Sequence, residues 1–145
     1  MFEKAQQDPV RFGRWSRAVR NTVSFFDPSQ PGYLIFYVTN RCNFRCEFCF
    51  YGEEIDKGKK PDELSLAEIE RSAATVGPLL QLSLTGGEPF LRNDFNLVTR
   101  ALLDRTTPRY VTIPTNASMP DRMVRFLDEL LPLYPDTYFR IVFSI

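Results

Sequence analysis

The sequence contains no histidine. That removes the side chain most used for proton transfer near neutral pH and the commonest nitrogen ligand for metals. Long apolar runs are missing too: none approaches the ~20 residues needed to cross a bilayer, and the N-terminus lacks the apolar centre of a secretory signal. Neither sign of charge is in excess, since 18 Lys and Arg balance 18 Asp and Glu over 145 residues. No overall field therefore points to nucleic acid. Cysteine is scarce, with three in the whole chain, and an odd number at close spacing excludes an ordinary disulfide framework. At 43% hydrophobic and 25% charged residues, the composition is that of one soluble globular domain and not of a disordered chain. Any catalysis has to come from other side chains or from a cofactor.

The few cysteines lie together, in Cys42-Asn43-Phe44-Arg45-Cys46-Glu47-Phe48-Cys49. Three thiolates on one tight segment can hold three irons of an iron–sulfur cluster. A four-iron cluster normally takes four cysteines, so one iron would keep a position without a protein ligand, and open metal positions are where chemistry happens. A structural zinc site is the competing reading, but zinc normally takes four Cys or His ligands, more than this chain offers. Clustered free thiols suit a reducing, cytoplasmic compartment.

Around the cysteines the chain reads as alternating strands and helices. Residues 1–32 form a lead-in, with Arg11, Arg14, Arg17 and Arg20 every third residue and Phe12, Trp15 and Val19 between them. This predicts a short basic amphipathic helix packed on the main domain; contact with a membrane surface or partner is the alternative. A Pro/Gly break at 27–32 follows. Tyr33–Thr39 is a continuous apolar run, which predicts a strand buried on both faces. The connection over 40–63 holds the cysteines, and loops of that length are usually functional.

Ser65-Leu66-Ala67-Glu68 is a capping box opening a helix that ends at Gly77-Pro78. A second strand spans Leu80–Thr85, with leucines on one face and Gln81, Ser83 and Thr85 on the other. A helix over Asp94–Asp104, a strand over Tyr110–Thr115, a helix over Asp121–Leu131 and a strand over Tyr138–Ile145 complete the pattern. Such alternation predicts parallel βαβ units in an α/β fold. Ligand-contacting residues then belong at the carboxyl ends of the strands, where the cysteines, Gly86-Gly87-Glu88-Pro89, Thr115-Asn116 and Ser144 all fall. The chain stops inside its fourth strand, leaving an apolar edge that folded proteins usually cover. It is therefore expected to be part of a longer protein.

Cys42-x₃-Cys46-x-Phe48-Cys49 after an apolar strand, with Gly86-Gly87-Glu88-Pro89 after the next strand, resembles the radical S-adenosylmethionine (radical SAM) superfamily. The resemblance covers about residues 33–145, the N-terminal portion of that family's core domain. It implies a partial (β/α)6 TIM-like barrel, of which about four parallel strands and three helices are present. It also implies a [4Fe–4S] cluster on Cys42, Cys46 and Cys49, with S-adenosylmethionine chelating the unique iron. One-electron reduction would then release a 5′-deoxyadenosyl radical that abstracts hydrogen from an organic or peptide substrate, in an oxidoreductase- or transferase-type enzyme.

By the same resemblance, Phe48 lies near the adenine, and Gly86, Gly87, Glu88 and Pro89 present backbone groups to the methionine ammonium. Thr115 and Asn116 lie near the ribose or methionyl part, and Ser144 contacts the cofactor. Ala117 stands where a glycine commonly follows the Thr-Asn pair. An electron donor such as a flavodoxin or ferredoxin is implied as a partner. The Cys49-Phe50-Tyr51 run is nearest to members that modify peptides and carry further clusters. The alternative is a non-catalytic fragment that binds a cluster or serves as an interaction module.

Overall fold

Alternation along each strand decides how the sheet sorts its side chains. In the computed structural model, which describes residues 31–57 and 63–144, the strands are β1 (Tyr33–Thr39), β2 (Gln81–Gly86), β3 (Tyr110–Thr115) and β4 (Tyr138–Phe143). They form one sheet in the order β1-β2-β3-β4, and every neighbouring pair is parallel. The helices are α1 (Gly52–Lys57), α2 (Leu66–Val76), α3 (Phe95–Thr106) and α4 (Pro120–Leu130), with a 3₁₀ turn at Pro89–Leu91. The expected basic helix of the lead-in lies outside the described residues.

In parallel pairing, residues in register share a face. Leu34, Leu82, Val111 and Phe139 make one row, and Ile35, Ser83, Thr112 and Arg140 the next. The first kind of row packs against the helices. Leu82, Leu84, Val111 and Ile113 share one core with Ile69 and Ala73 of α2, Val98 and Leu102 of α3, and Met123, Phe126 and Leu130 of α4. Each fully buried Leu, Ile or Phe contributes about 1.5–3 kcal/mol. Phe90, Phe95 and Phe126 meet inside that core, edge-on at 5.2 Å and 5.6 Å and stacked at 5.0 Å. Because Phe90 directly follows Glu88-Pro89, this cluster fastens the turn after β2 to the core.

Several elements differ from expectation. β1 is not buried on both faces: Tyr33, Ile35 and Tyr37 are 51%, 51% and 44% exposed. β1 is an edge strand, and its odd positions share the face of Gln81, Ser83 and Thr85, which no layer covers among the described residues. The cysteine connection contains α1, held by a buried Ile55. β4 closes at Phe143, two residues early; β1 and β3 keep their expected bounds, and those of β2, α3 and α4 shift by one or two residues. The capping box of α2 is formed as expected, with both the Ser65 and Glu68 side chains bonded to backbone N–H groups. The backbone and hydroxyl of Ser65 together hold the exposed Glu68 carboxyl below its usual range.

The ends of the sheet have different chemistry. At the start of β3 and β4, Tyr110 and Tyr138 stack at 5.7 Å, with the Arg109 guanidinium 5.8 Å and 5.6 Å from the two rings. At the other end, a register shift between Tyr37 and Thr39 bends β1 where the cysteine segment begins.

Candidate functional site

Cys42, Cys46 and Cys49 are free thiols, each half-buried, on the segment that leaves β1 and enters α1. Two turns set its shape: the Cys49 N–H donates to the Cys46 carbonyl at 3.0 Å, and the Gly52 N–H to the Cys49 carbonyl at 3.1 Å. The Cys42 sulfur accepts from the Phe44 N–H at 3.4 Å and from Asn116 Nδ2 at 3.7 Å. Among the described residues, no group of three or more Cys, Asp or Glu side chains already stands arranged to hold a metal ion, so gathering the thiols would be coupled to binding. As donors, three unpaired, accessible thiols within residues 42–49 suit iron–sulfur chemistry.

The Gly-Gly-Glu-Pro turn presses on the root of this segment. The Gly87 N–H donates to the Thr39 carbonyl at 2.9 Å, and the Glu88 N–H to the Arg41 carbonyl at 2.8 Å. Contact this close leaves no room for a side chain. A Cβ on Gly86 would stand 2.1 Å from the Thr39 carbonyl oxygen, and one on Gly87 2.0 Å from that of Arg41. Gly86 also has φ of 131°, a conformation that favours glycine.

Glu88 is not a surface carboxyl; it is 1% exposed. Its side chain accepts from the Phe90 N–H at 3.1 Å, from the Thr115 hydroxyl at 2.9–3.0 Å and from the Asn116 N–H at 2.8 Å. The end of β2 is thereby tied to the end of β3. Pro89 is buried at the start of the 3₁₀ turn.

Asn116, the residue that follows β3, has the side chain that reaches the cysteines. Besides Cys42 it donates to Asn43 Oδ1 at 2.9 Å, and Asn43 donates to Ser118 Oγ at 2.9 Å. The Ser118 N–H donates back to Asn116 Oδ1 at 3.0 Å. Ala117 between them sits at φ 60°, in the left-handed region. Thr115 is buried with its hydroxyl on Glu88, so its backbone partner is what faces the rim: the Ser144 N–H donates to the Thr115 carbonyl at 2.9 Å. Phe48 is 74% exposed. Cys42, the glycine turn, Asn116 and Ser144 thus meet at the carboxyl ends of the four strands. Phe48 stands out from them. Three residues that sequence reasoning passed over, Arg41, Glu63 and Arg92, also converge there.

Fold and site together define a class: an α/β sheet of parallel strands whose carboxyl rim carries a three-cysteine segment braced by a diglycine turn. The chain belongs to the radical SAM superfamily, whose profile matches residues 36–141. The cofactors of that superfamily are a [4Fe–4S] cluster and S-adenosylmethionine. Among curated relatives, the chain is similar to the GTP 3′,8-cyclase of Haemophilus influenzae, 34% identical over 94 residues, or 62% of this chain and 28% of that protein. The GTP 3′,8-cyclase of Mesorhizobium japonicum is 38% identical over 103 residues, 68% of this chain and 30% of that protein. The chain thus spans less than a third of the length of these relatives. Among the described residues, no helix is long and apolar enough to cross a membrane.

Proposed function

We propose that residues 33–145 are the N-terminal portion of a radical SAM core, preceded by a lead-in over 1–32, and that Cys42, Cys46 and Cys49 hold a [4Fe–4S] cluster. The supporting observation is convergence: Asn116 reaches the Cys42 sulfur at 3.7 Å while the glycine turn bonds to the residues just before Cys42. When bound, cluster and S-adenosylmethionine together supply reductive cleavage of the sulfonium to a 5′-deoxyadenosyl radical, which abstracts hydrogen from the substrate.

The rest is the work of this chain's residues. Backbone groups of Gly86 and Gly87 receive the methionine ammonium, because no side chain stands in the way. Phe48 offers an exposed ring face to the adenine. The Asn116 amide orients both the Cys42 thiolate and the methionyl or ribose part, and Ser144 closes the same side. Glu88, Pro89 and Thr115 act beneath the cofactor by fixing the strand ends. The redox and sulfonium chemistry belongs to the cofactors, and the protein supplies ligation and orientation.

The substrate is an organic molecule or peptide, and the electron comes from a donor of the flavodoxin or ferredoxin kind in a cytoplasmic setting. The relatives' name makes GTP the first compound to try. Arg140, the exposed charged residue in register with Thr112 and Ser83 on the face away from the helices, suits an anionic substrate of that sort.

The test is anaerobic reconstitution with iron and sulfide, then reduction in the presence of S-adenosylmethionine. The chain is expected to take up four irons, the number of the proposed cluster, and to release 5′-deoxyadenosine. Cys46→Ala should abolish both while leaving the melting temperature of the metal-free chain within ~2 °C, since the side chain is half-buried and fills no core space. Stoichiometric zinc without iron, or cleavage that survives Cys46→Ala, would overturn the reading.

A further inference from the structure

The two ends of the cysteine connection are far apart in sequence, yet they are closed by the same few charged groups. Arg92 follows the 3₁₀ turn after β2, and its side chain is 3% exposed. Its Nη1 donates to the Val38 carbonyl at 2.8 Å, and its Nη2 donates to the Leu64 carbonyl at 2.7 Å. Val38 is the last residue before the bend into the cysteine segment, and Leu64 is the last before the N-cap Ser65 of α2. One guanidinium therefore bridges where the connection leaves the sheet and where it returns to a helix. Asp94 holds the guanidinium from behind, accepting from Nε at 2.8 Å and Nη2 at 3.2 Å.

A second bridge runs parallel to the first. Glu63 accepts from Arg41 Nε at 2.8 Å and Nη2 at 3.2 Å, and from the Thr39 hydroxyl. The Thr39 hydroxyl in turn accepts from the Arg41 N–H at 3.1 Å. Arg41 is the residue immediately before Cys42, and its carbonyl is the one bonded by the Glu88 N–H. Burial raises the Glu63 carboxyl, but the Arg41 and Thr39 donors and the charges of Arg41 and Arg92 outweigh it and hold the group below its usual range. Asp94 is held down by its bond from Arg92.

We infer that Arg92 and the Arg41–Glu63 pair form a clasp that closes both ends of the cysteine connection, making them positioning residues for metal binding that touch no ligand atom. The inference rests on the cluster reading of Cys42, Cys46 and Cys49. A closed connection has its end-to-end entropy removed before the metal arrives, and preorganised ligands bind more tightly for that reason. The planar fork of arginine is what reaches two carbonyls and a carboxylate at once; lysine offers a single point charge and cannot do so.

The test compares Arg92→Met, Arg92→Lys and Glu63→Gln with the unaltered chain in two ways. The first needs no metal: hydrogen exchange of the metal-free chain, peptide by peptide. All three variants should speed exchange over residues 42–51 by roughly 10-fold while β3 and α3 stay within ~2-fold of the parent. The second is the rate of iron loss to a chelator after anaerobic reconstitution. It should rise about 10- to 100-fold in the Arg92 variants, as for other residues that orient metal ligands, with Lys giving no rescue, and less in Glu63→Gln, which keeps part of its hydrogen bonding.

If Arg92→Met does not fold, Glu63→Gln carries both arms. Exchange that quickens evenly over the whole sheet, or is unchanged at 42–51, overturns the clasp. If the unaltered chain takes up no iron, the cluster reading fails by itself, and the exchange arm still decides whether the clasp exists.

Discussion

Between Cys42 and Phe50 the chain is turned outward: Phe44, Phe48 and Phe50 are 46%, 74% and 88% exposed, and the thiols are half-buried. The residues that hold this segment are the reverse. Val38, Thr39, Glu88, Arg92 and Thr115 are all at most 4% exposed, and Glu88, Arg92 and Thr115 have partners from other elements. The proposed cluster ligands and Phe48 thus lie on a lightly held surface strip, and the precision of that strip comes from a buried polar socket beneath it. This division suits a site that must admit a cluster and a cofactor: the donors can close around the ligand while their roots stay fixed. It also means that stability and metal binding should separate under mutation: changes to the strip should reach metal binding alone, whereas changes to the socket can reach both.

The sharpest way to break the comparison is to damage the socket without touching a thiol. Gly86→Ala forces a side chain onto φ of 131° and sets its Cβ 2.1 Å from the Thr39 carbonyl oxygen. Backbone strain and overpacking together should cost about 3 kcal/mol, visible as a lower denaturant midpoint in the metal-free chain. Glu88→Ala comes next. It leaves the Phe90 and Asn116 N–H groups and the Thr115 hydroxyl without their buried acceptor, a loss of about 2–3 kcal/mol. A change below 0.5 kcal/mol in either would be an ordinary surface effect and would put the socket in doubt.

The strip was far more legible in sequence than the socket. The cysteine spacing is local, so Cys42, Cys46 and Cys49 stand out without any tertiary information. The α2 capping box and the leucine face of β2 are equally local: the box forms as read, and Leu82 and Leu84 enter the core, although Ser83 on the opposite face is buried too. β1 shows where local reading fails. A run of apolar residues predicts burial on both faces, but whether the second face is covered depends on what lies opposite, and Tyr33, Ile35 and Tyr37 stay about half exposed, with Tyr37 meeting the Tyr51 ring at 5.2 Å. α1 was missed because Ile55 alone gives no helical period to detect. Glu63 and Arg92 were hidden for a third reason, as were the side-chain partners of Glu88, a residue that the motif itself had singled out. These partners lie 22, 54 and 27 residues away, and a long-range bond leaves no local pattern to read.

Ala117 offers the smallest and most pointed test, because it lies where socket and strip join. Its neighbours are both engaged: the Asn116 side chain bonds to Cys42 and Asn43, and the Ser118 N–H bonds back to Asn116 Oδ1. Those bonds hold Ala117 at φ 60°, where a Cβ crowds the following carbonyl oxygen at a cost of roughly 1–2 kcal/mol. Glycine relieves that crowding but gives the unfolded chain more freedom to lose, by about 0.5–1 kcal/mol. The two effects oppose, and the strain is the larger. Ala117→Gly should therefore stabilise the metal-free chain by about 0.5–1 kcal/mol, read as a higher denaturant midpoint. A destabilised variant would mean that the left-handed turn is not strained, and that the Asn116 network does not hold the backbone at this corner.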